Sequence, residues 1–206
     1  MRFLELKEKI QDQLIFTTND IKKFDSSFSL QRLTEWQKRG YIKKITKGYY
    51  IFSDYIIREE DLFVFANQIY QPSYISLESA LRYYNFIPEG VFGITSVSTR
   101  KTNKIMSSTA EFHYRAVKPT LFFGYQVLES GFKKFKMATP EKAVIDYFYL
   151  NANLKTENDF KSLRINKDLF QEKVQLSSLK EMLERSGNKS LEKRVNVFLK
   201  TTIKNA

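Results

Sequence analysis

The stretch from Ser27 to Phe52, SFSLQRLTEWQKRGYIKKITKGYYIF, predicts the fold of the N-terminal part of the chain. Leu30, Leu33 and Trp36 recur at three-residue steps, which places them on one face of a helix. Gly40 comes next, and glycine commonly ends helices because it adopts the left-handed conformation without steric cost. We therefore expect a helix from Leu30 to the residue before Gly40.

A short hairpin is expected directly after this helix. Two β-prone runs, at 41–45 and 49–52, flank the turn Thr46-Lys47-Gly48. A glycine-containing turn between two such runs is typical of a β-hairpin. A helix with a polar outer face, followed at once by a hairpin with lysine at its tip, is the pattern of a winged helix-turn-helix.

Two further helices are expected upstream of this stretch. Leu4, Leu6, Ile10 and Leu14 form an apolar stripe at helical spacing, and a short second helix is expected over 20–24. Three helices and a hairpin within about 52 residues match the size and order of a winged-helix domain, in which the third helix lies in the major groove.

The composition changes near Asp54, and the rest of the chain is expected to form a second unit. Helices are expected over 58–69, 77–85 and 141–150, and strands over 74–75, 93–99, 111–117, 125–128 and 132–137. Residues 151–166 are expected to be mainly loop, followed by helices near 176–185 and 191–203. The expected class is α+β, with an N-terminal winged helix-turn-helix (1–54) and a mixed α/β C-terminal domain with terminal helices (55–206).

The charge balance favours a polyanionic partner. The 206 residues include 34 Lys and Arg against 23 Asp and Glu, a net charge of +11. Such proteins commonly bind nucleic acid or, less often, an anionic membrane surface. An equally weighted alternative is a lysine-rich surface that reflects an AT-rich genome. The net charge is +4 over 1–54, +2 over 55–150 and +5 over 151–206, so both ends are expected to contribute basic surface.

The residue inventory excludes several classes of chemistry. The chain has no cysteine, which excludes disulfides, thiol catalysis and cysteine-based metal sites. The single histidine, His113, gives little support to a zinc site or a Ser–His nucleophile. We expect no cofactor and no metal. The start of the chain, MRFLELKEKIQDQL, is unlike a signal peptide, and no apolar run approaches the ~20 residues of a membrane span. A cytoplasmic location without a membrane partner is expected.

The predicted third helix and hairpin carry the candidate DNA-binding residues. Arginine pairs with guanine and glutamine with adenine through two hydrogen bonds each, so Arg32 and Gln31 are candidates for contacts to base edges or phosphates. Each lysine that contacts a phosphate contributes about one to the salt dependence of binding. The alternative is a solvated helix face. The candidates are Ser27, Ser29, Gln31, Arg32, Glu35, Lys38, Lys43, Lys44, Thr46, Lys47 and Tyr49.

Three residues in this stretch, Glu35, Tyr49 and Tyr50, have a second interpretation. Glu35 is a candidate acceptor for cytosine, or an i,i+4 partner of Arg39. Tyr49 and Tyr50 are candidates for contact with the DNA backbone. One of these two tyrosines is expected in the core, because successive side chains of a strand point in opposite directions.

Two further basic clusters form a candidate second basic surface in the C-terminal part of the chain. One contains Arg100, Lys101 and Lys104; the other contains Lys133, Lys134 and Lys136, interleaved with Phe132 and Phe135. Basic residues that alternate with aromatic ones are typical of surfaces that bind nucleic acid by charge and stacking. The favoured alternative is a strand with an apolar inner face and lysines on its outer edge, where they discourage aggregation.

The segment PEKAVID contains a set of residues that suggests a metal or nuclease site. The set is Glu141, Lys142 and Asp146. Glu141 and Lys142 equally fit the first turn of a helix, and Asp146 fits a polar position between buried neighbours. No acid–base pair with a fixed orienting group is evident, and we expect no enzyme activity.

Three motifs in series resemble the AbiEi-type antitoxins of bacterial type IV toxin–antitoxin systems. They are LTEWQKRGYIKKITKGYYIF at 33–52, YISLESALRYYNFIPEG at 74–90 and MATPEKAVIDYFYL at 137–150. Their order and spacing also fit, and the third is the most specific. Residues 151–206 carry no motif of that family.

The resemblance implies a winged helix joined to a mixed α/β domain. It implies a DNA-binding repressor of its own operon, with an operator of inverted repeats, that also counteracts a nucleotidyltransferase-like toxin. Direct contact with the toxin is not required in such systems. Some relatives are stand-alone regulators without a toxin partner. A nuclease-like enzyme that is delivered to nucleic acid by the winged helix is a further alternative.

Overall fold

The computed structural model of the protein describes residues 1–88, 90, 93–131 and 133–203. Within these residues the chain forms ten α-helices and two β-sheets. The expected α+β class is therefore confirmed. No helix in the described ranges is both long and apolar enough to cross a lipid bilayer.

The first 54 residues form three helices and a three-stranded antiparallel sheet. The helices are α1 (Phe3–Lys9), α2 (Thr18–Lys22) and α3 (Leu30–Lys38), and the strands are β1 (Phe16–Thr17), β2 (Ile42–Thr46) and β3 (Tyr49–Phe52). The strand order is β1-β3-β2. The helix and the hairpin expected within Ser27–Phe52 are confirmed. Strand β1 was not expected, because a strand of two residues leaves no periodic signal.

The two ends of α3 follow from its sequence. The Ser29 hydroxyl caps the helix and accepts a hydrogen bond from the Gln31 N–H. Gly40, two residues after the helix, has a φ of +72°. That conformation costs about 1–2 kcal/mol in a residue with a Cβ, so glycine is the residue that allows the chain to turn from α3 into β2.

The residues after Asp54 form a six-stranded mixed sheet. The strands are β4 (Ser73–Ile75), β5 (Ile94–Ser98), β6 (Asn103–Met106), β7 (Glu111–Ala116), β8 (Tyr125–Ser130) and β9 (Lys133–Ala138). Their order is β6-β7-β5-β4-β9-β8. The pairs β5–β7 and β4–β9 are parallel, and the other neighbouring pairs are antiparallel.

Seven helices accompany this sheet in the described residues. They are α4 (Glu59–Ile69), α5 (Leu77–Tyr83), α6 (Pro140–Leu150), α7 (Glu157–Ser162), α8 (Lys167–Lys173), α9 (Leu176–Ser186) and α10 (Lys189–Phe198), which continues as a π-helical turn over Leu199–Ile203. Helix α4 lies on one face of the sheet, where the Tyr114 hydroxyl donates to the Ala66 carbonyl at 2.9 Å. Helix α6 lies on the other face, where the Tyr74 hydroxyl donates to the Asp146 carboxylate at 2.8 Å.

The expectation of a mainly loop segment over 151–166 is wrong in part, because α7 lies within it. The Thr156 hydroxyl accepts from the Asp159 N–H, and Asp159 reaches back to the Thr156 N–H, so the two residues cap the helix start reciprocally. Phe160 is the buried residue of α7. One apolar residue in a short polar helix is too weak a pattern to predict from sequence.

The last helices are bound to α6. Arg194 of α10 donates to the Phe148 carbonyl at 3.0 Å and to the Ala152 carbonyl at 2.8 Å. These bonds satisfy carbonyl groups at and beyond the end of α6, which have no partner inside that helix. Residues 151–203 thereby complete the C-terminal unit.

Two hydrophobic clusters fill the molecule, and the larger one crosses residue 54. The smaller cluster belongs to the N-terminal unit and contains Leu6, Ile10, Phe16, Ile21, Phe28, Leu33, Trp36, Ile42 and Phe52. The larger cluster is formed by the C-terminal unit, but it also includes Leu14, Ile15, Ile45 and Ile51. The N-terminal unit is therefore packed against the C-terminal unit, partly through its hairpin.

Candidate nucleic-acid interface

The outer face of α3 is polar and exposed. Leu33 and Trp36 are buried on its inner face. Gln31, Arg32, Glu35 and Lys38 are exposed on its outer side. The structure thus presents the four candidate side chains of this helix to solvent together.

Three candidates at the start of α3 also have local hydrogen bonds. Ser29 caps the helix, and the Ser27 hydroxyl donates to the Asp25 carboxylate at 2.8 Å. Arg32 donates through Nη1 to the Met1 carbonyl at 2.5 Å. The N-terminal ammonium donates to Asp25 at 2.8 Å, which lowers the pKa of that carboxyl. Because a guanidinium has five N–H donors, Arg32 retains donors for a base or a phosphate.

The hairpin presents lysines to solvent and an isoleucine to the interior. Lys43, Lys44 and Lys47 are exposed, whereas Ile45 is buried. The register of β2 against β3 shifts between Lys44 and Thr46, and such a bulge interrupts the simple alternation of side chains. Among the described residues, the ion pairs do not involve these three lysines.

The hairpin is anchored to the C-terminal unit by three hydrogen bonds. Ser108, in the turn between β6 and β7, donates its N–H to the Ile45 carbonyl at 3.1 Å and its hydroxyl to the Lys44 carbonyl at 3.0 Å. The Tyr49 hydroxyl donates to the Gln68 carbonyl of α4 at 3.1 Å. Burial raises the pKa of Tyr49. Tyr49 therefore holds the hairpin to α4, a role that its position in the sequence did not indicate.

The cluster of Arg100, Lys101 and Lys104 lies on the connection between β5 and β6 and on β6 itself. The Arg100 guanidinium lies over the Tyr70 ring at 4.4 Å. All three cations are exposed. Lys104 forms an ion pair with Glu111 at 2.7 Å, and the hydrogen bond from Lys104 lowers the pKa of the Glu111 carboxyl. The charge of Lys104 is thus balanced locally, and Arg100 and Lys101 are the cations that this cluster adds to the surface.

The three lysines of the cluster Lys133, Lys134 and Lys136 differ in exposure. The Lys133 ammonium forms an ion pair with Asp61 and contacts the Tyr55 hydroxyl, and its side chain is 10% exposed. The prediction that Lys133 lies on a basic surface is therefore wrong. Lys134 and Lys136 are exposed, and they flank the buried Phe135.

The aromatic residues of this third cluster do not support base stacking at the positions that the structure describes. Phe135 is 3% exposed and belongs to the core. The alternation of exposed lysine and buried phenylalanine matches an apolar inner face with a lysine edge. Phe132, the other aromatic residue of the cluster, lies outside the described residues.

The set in PEKAVID lies inside the C-terminal unit. Lys142 Nζ is 2.5 Å from Asp146 Oδ1, and Asp146 Oδ2 accepts from the hydroxyls of Tyr74 and Ser76 at 2.8 and 2.9 Å. Burial raises the pKa of the Asp146 carboxyl, while Lys142 and the two hydroxyl donors oppose that shift. Glu141 accepts the N–H that precedes α9. These side chains join α6 to β4 and α9, which is a structural role.

The grouping of the acidic and histidine side chains bears on metal binding. Across the described ranges, no three His, Cys, Asp or Glu side chains are grouped as a metal site requires. His113 contacts Glu111 through Nε2 at 3.0 Å. The exposed side chains of Gln31, Arg32 and Lys38 and of the hairpin lysines offer hydrogen-bond donors and positive charge.

Comparison with known proteins supplies no family for this chain. No model of a known protein family matches it, and a search of curated proteins found no match.

Proposed function

We propose that residues 1–54 are a winged helix-turn-helix that binds duplex DNA. In this proposal α2 and α3 form the helix-turn-helix, α3 lies in the major groove and the β2–β3 hairpin is the wing. The observation that carries it is the exposure of Gln31, Arg32 and Lys38 on α3, next to a hairpin with exposed lysines. A recognition helix reads base edges, while the neighbouring elements contact the phosphate backbone.

Each side chain has a chemical role in the proposed complex. Arg32 and Gln31 are the donors for base edges, and one good bidentate pair is worth about 1–3 kcal/mol of discrimination. Lys38, Lys43, Lys44 and Lys47 bind phosphates and give affinity without sequence preference. Glu35 is repelled by phosphate, so its place is opposite a cytosine amino group.

We also propose that the protein is an antitoxin and an autorepressor of a type IV toxin–antitoxin operon, opposing a nucleotidyltransferase-like toxin. The support is the series of three AbiEi-like motifs. Two of them, at 74–90 and 137–150, contain Tyr74, Ser76, Lys142 and Asp146, whose side chains are joined to one another. The motifs thus coincide with the polar network in the core of the C-terminal unit. Asp146 is buried in that network, which fits a structural role and not a catalytic one.

A mobility-shift experiment with the DNA upstream of the protein's own gene tests the DNA-binding role. The parent protein is expected to shift this DNA in a salt-sensitive manner and to prefer it over a scrambled duplex. Arg32→Ala combined with Lys47→Ala is expected to weaken the shift. Lys180→Ala combined with Lys193→Ala is the matched control, because both lysines are exposed on α9 and α10. An undiminished shift by the first variant contradicts the proposal.

Co-expression with the product of the neighbouring gene tests the antitoxin role. The full chain is expected to restore growth when that product is toxic, and the Arg32→Ala, Lys47→Ala variant is expected to restore it as well. Failure of the full chain to relieve toxicity removes the antitoxin role and leaves a stand-alone regulator.

A further inference from the structure

Three hydrogen bonds converge on the C-terminal end of α4. Tyr49 of the hairpin donates to the Gln68 carbonyl, and Arg100 donates through Nη1 to the Gln71 carbonyl at 3.2 Å. The Lys136 N–H donates to the Asn67 Oδ1 at 2.5 Å. The hairpin and the two C-terminal basic clusters are therefore joined through one short segment, 67–71.

A cavity of about 220 Å³ opens beside this segment. It is lined by Asn67, Gln68, Gln71, Ser73, Lys134 and Lys136, together with apolar atoms of neighbouring residues. Strand β4 beside it is only three residues long and pairs in parallel with β9, with Ile75 opposite Met137. The first two residues of β9, Lys133 and Lys134, therefore lie beyond the start of β4.

Two residues that line this cavity, Ser73 and Asn67, each have a buried polar atom without a hydrogen-bond partner among the described residues. These atoms are Ser73 Oγ and Asn67 Nδ2. The orientation of the Asn67 amide is fixed, because its Oδ1 accepts the Lys136 N–H and Nδ2 must then be the donor end. A buried group without a partner costs about 1–3 kcal/mol. The Asn67 amide nitrogen can only donate and the Ser73 hydroxyl can donate, so a phosphate oxygen that reached either atom would remove this cost.

Lys134 and Lys136 line the cavity, and Arg100 is hydrogen-bonded to Gln71, another of its lining residues. Arg100, Lys134 and Lys136 are exposed. Arg100 is held over the Tyr70 ring and bonded to Gln71, so it loses little conformational entropy when it binds a phosphate. Lys134 pairs with Glu129 at 2.8 Å, and an ion pair of such exposed side chains is weak enough for a phosphate to replace it.

We propose that the end of α4 is a second phosphodiester-binding surface, formed by Arg100, Lys134 and Lys136, that contacts duplex DNA beside the site of α3 and the hairpin. This inference rests on the proposed DNA-binding function. The bond between Tyr49 and Gln68 makes the new surface continuous with the hairpin. The C-terminal unit then lengthens the DNA footprint and steepens its salt dependence.

Binding to two duplexes tests the second surface. Both are centred on the upstream site, one about one and a half helical turns long and the other about three turns. Fluorescence anisotropy at several salt concentrations gives the slope of log K against log salt for the full-length protein. The slope is expected to be larger for the long duplex by up to about 2.7, because each of three contacts contributes about 0.9.

The variant Arg100→Gln, Lys134→Ala, Lys136→Ala is expected to lose this difference. It should bind the short duplex as the parent does, which also reports that it is folded. The control Lys180→Ala, Lys193→Ala, Lys200→Ala carries the same charge change on exposed sites and should behave as the parent on both duplexes. If the triple variant loses binding to the short duplex, the double variant Lys134→Ala, Lys136→Ala replaces it in the same measurement. Both of its side chains are exposed, so these changes are not expected to disturb folding.

The two proposals fail in different ways. If the parent binds the short duplex and shows the same slope on the long one, the second surface is overturned while the DNA-binding function stands. The second surface is also overturned if the triple variant keeps the steeper slope that the parent shows on the long duplex. If the parent binds neither duplex, the proposed function itself is overturned, and the second surface falls with it.

Discussion

Lys142 and Asp146 form a buried ion pair one helical turn apart on α6. Their side chains are 0% and 1% exposed, and the carboxylate also accepts hydrogen bonds from Tyr74 and Ser76. Removing one charge from such a pair leaves the other buried without compensation. The sequence indicated a polar position among buried neighbours, but the two hydroxyl donors lie about 70 residues away in the chain and were not predictable from the motif.

Replacement of Lys142 by Met is expected to lower the free energy of unfolding by about 3–5 kcal/mol, because the Asp146 charge loses its partner. The double change Lys142→Met, Asp146→Leu is expected to lower it by less than the single one. Urea denaturation measures both. Lys161 and Glu157 form an exposed i,i+4 pair at 2.9 Å and provide the control. Lys161→Met should change stability by no more than about 0.5 kcal/mol, and an equal effect at both lysines would contradict the account.

We expect the protein to lose stability at alkaline pH because of the buried hydroxyl of Tyr84. Its hydroxyl donates to the Ala138 carbonyl at 2.7 Å, and burial raises its pKa to about 12. The unfolded chain releases this proton near pH 10 and the folded chain keeps it, so stability is complete below pH 10 and falls as the pH rises towards 12. The urea midpoint of Tyr84→Phe is expected to fall less steeply from about pH 9 to about pH 11 than that of the parent. Identical slopes would show that this hydroxyl does not contribute.

The three lysines of 133–136 show what a charge pattern in the sequence does not predict. Lys134 and Lys136 are exposed as a lysine edge predicts, but Lys133 is withdrawn into a pair with Asp61, which is 72 residues away. Spacing along a strand indicates which face a side chain occupies, and not which distant partner it meets there.

Among the elements, the β2–β3 hairpin matters most for the proposed DNA-binding function. It carries the lysines proposed to bind phosphate, and two bonds from Ser108 hold its backbone. The turn chemistry at Lys47-Gly48 predicted the hairpin, with Gly48 at a φ of +85°. Its attachment to the β6–β7 turn depends on residues far along the chain, which no local pattern contains.

Ser108→Ala is expected to loosen the hairpin without unfolding the protein. The change removes the bond to the Lys44 carbonyl and keeps the N–H bond to Ile45, so the cost is about 0.5–1.5 kcal/mol. Hydrogen exchange is expected to be faster in 42–52 and unchanged in α6. Ser177→Ala, at an exposed position of α9, is the control. Unchanged exchange in the hairpin would mean that Ser108 does not anchor it.

The elements that the sequence predicts are those with strong local signals. Helix α3 has a cap, an apolar stripe and a terminating glycine, and α6 has Thr139 and Pro140 at its start. Strands β1 and β6 and helices α7 and α8 were not predicted. They are two, four, six and seven residues long, and they are held by partners in other elements.

At the scale of the whole molecule, the two units share a hydrophobic cluster. Leu14, Ile15, Ile45 and Ile51 are buried together with side chains of the C-terminal unit. The pattern of the sequence indicates two units by their element types, but it cannot indicate which apolar side chains lie between them. That packing fixes the position of the hairpin relative to Arg100 and α4.

Residues 1–54 alone are expected to be much less stable than the same residues in the full chain. Four aliphatic side chains lose burial worth about 1.5–3 kcal/mol each, whereas a fragment of this size has roughly 3–8 kcal/mol of stability in total. Circular dichroism and thermal melting of the fragment test this. A cooperative transition at the temperature of the parent would contradict a shared core.

The central claim is that the exposed face of α3 and the lysines of the hairpin bind duplex DNA. The most direct test is the salt dependence of binding to the upstream duplex, measured for the full chain and for Lys43→Ala, Lys44→Ala, Lys47→Ala. We predict that the variant's slope of log K against log salt is lower by about 2.7, since each lost phosphate contact removes about 0.9. A parent slope near zero, or the same slope in the variant, would contradict the claim.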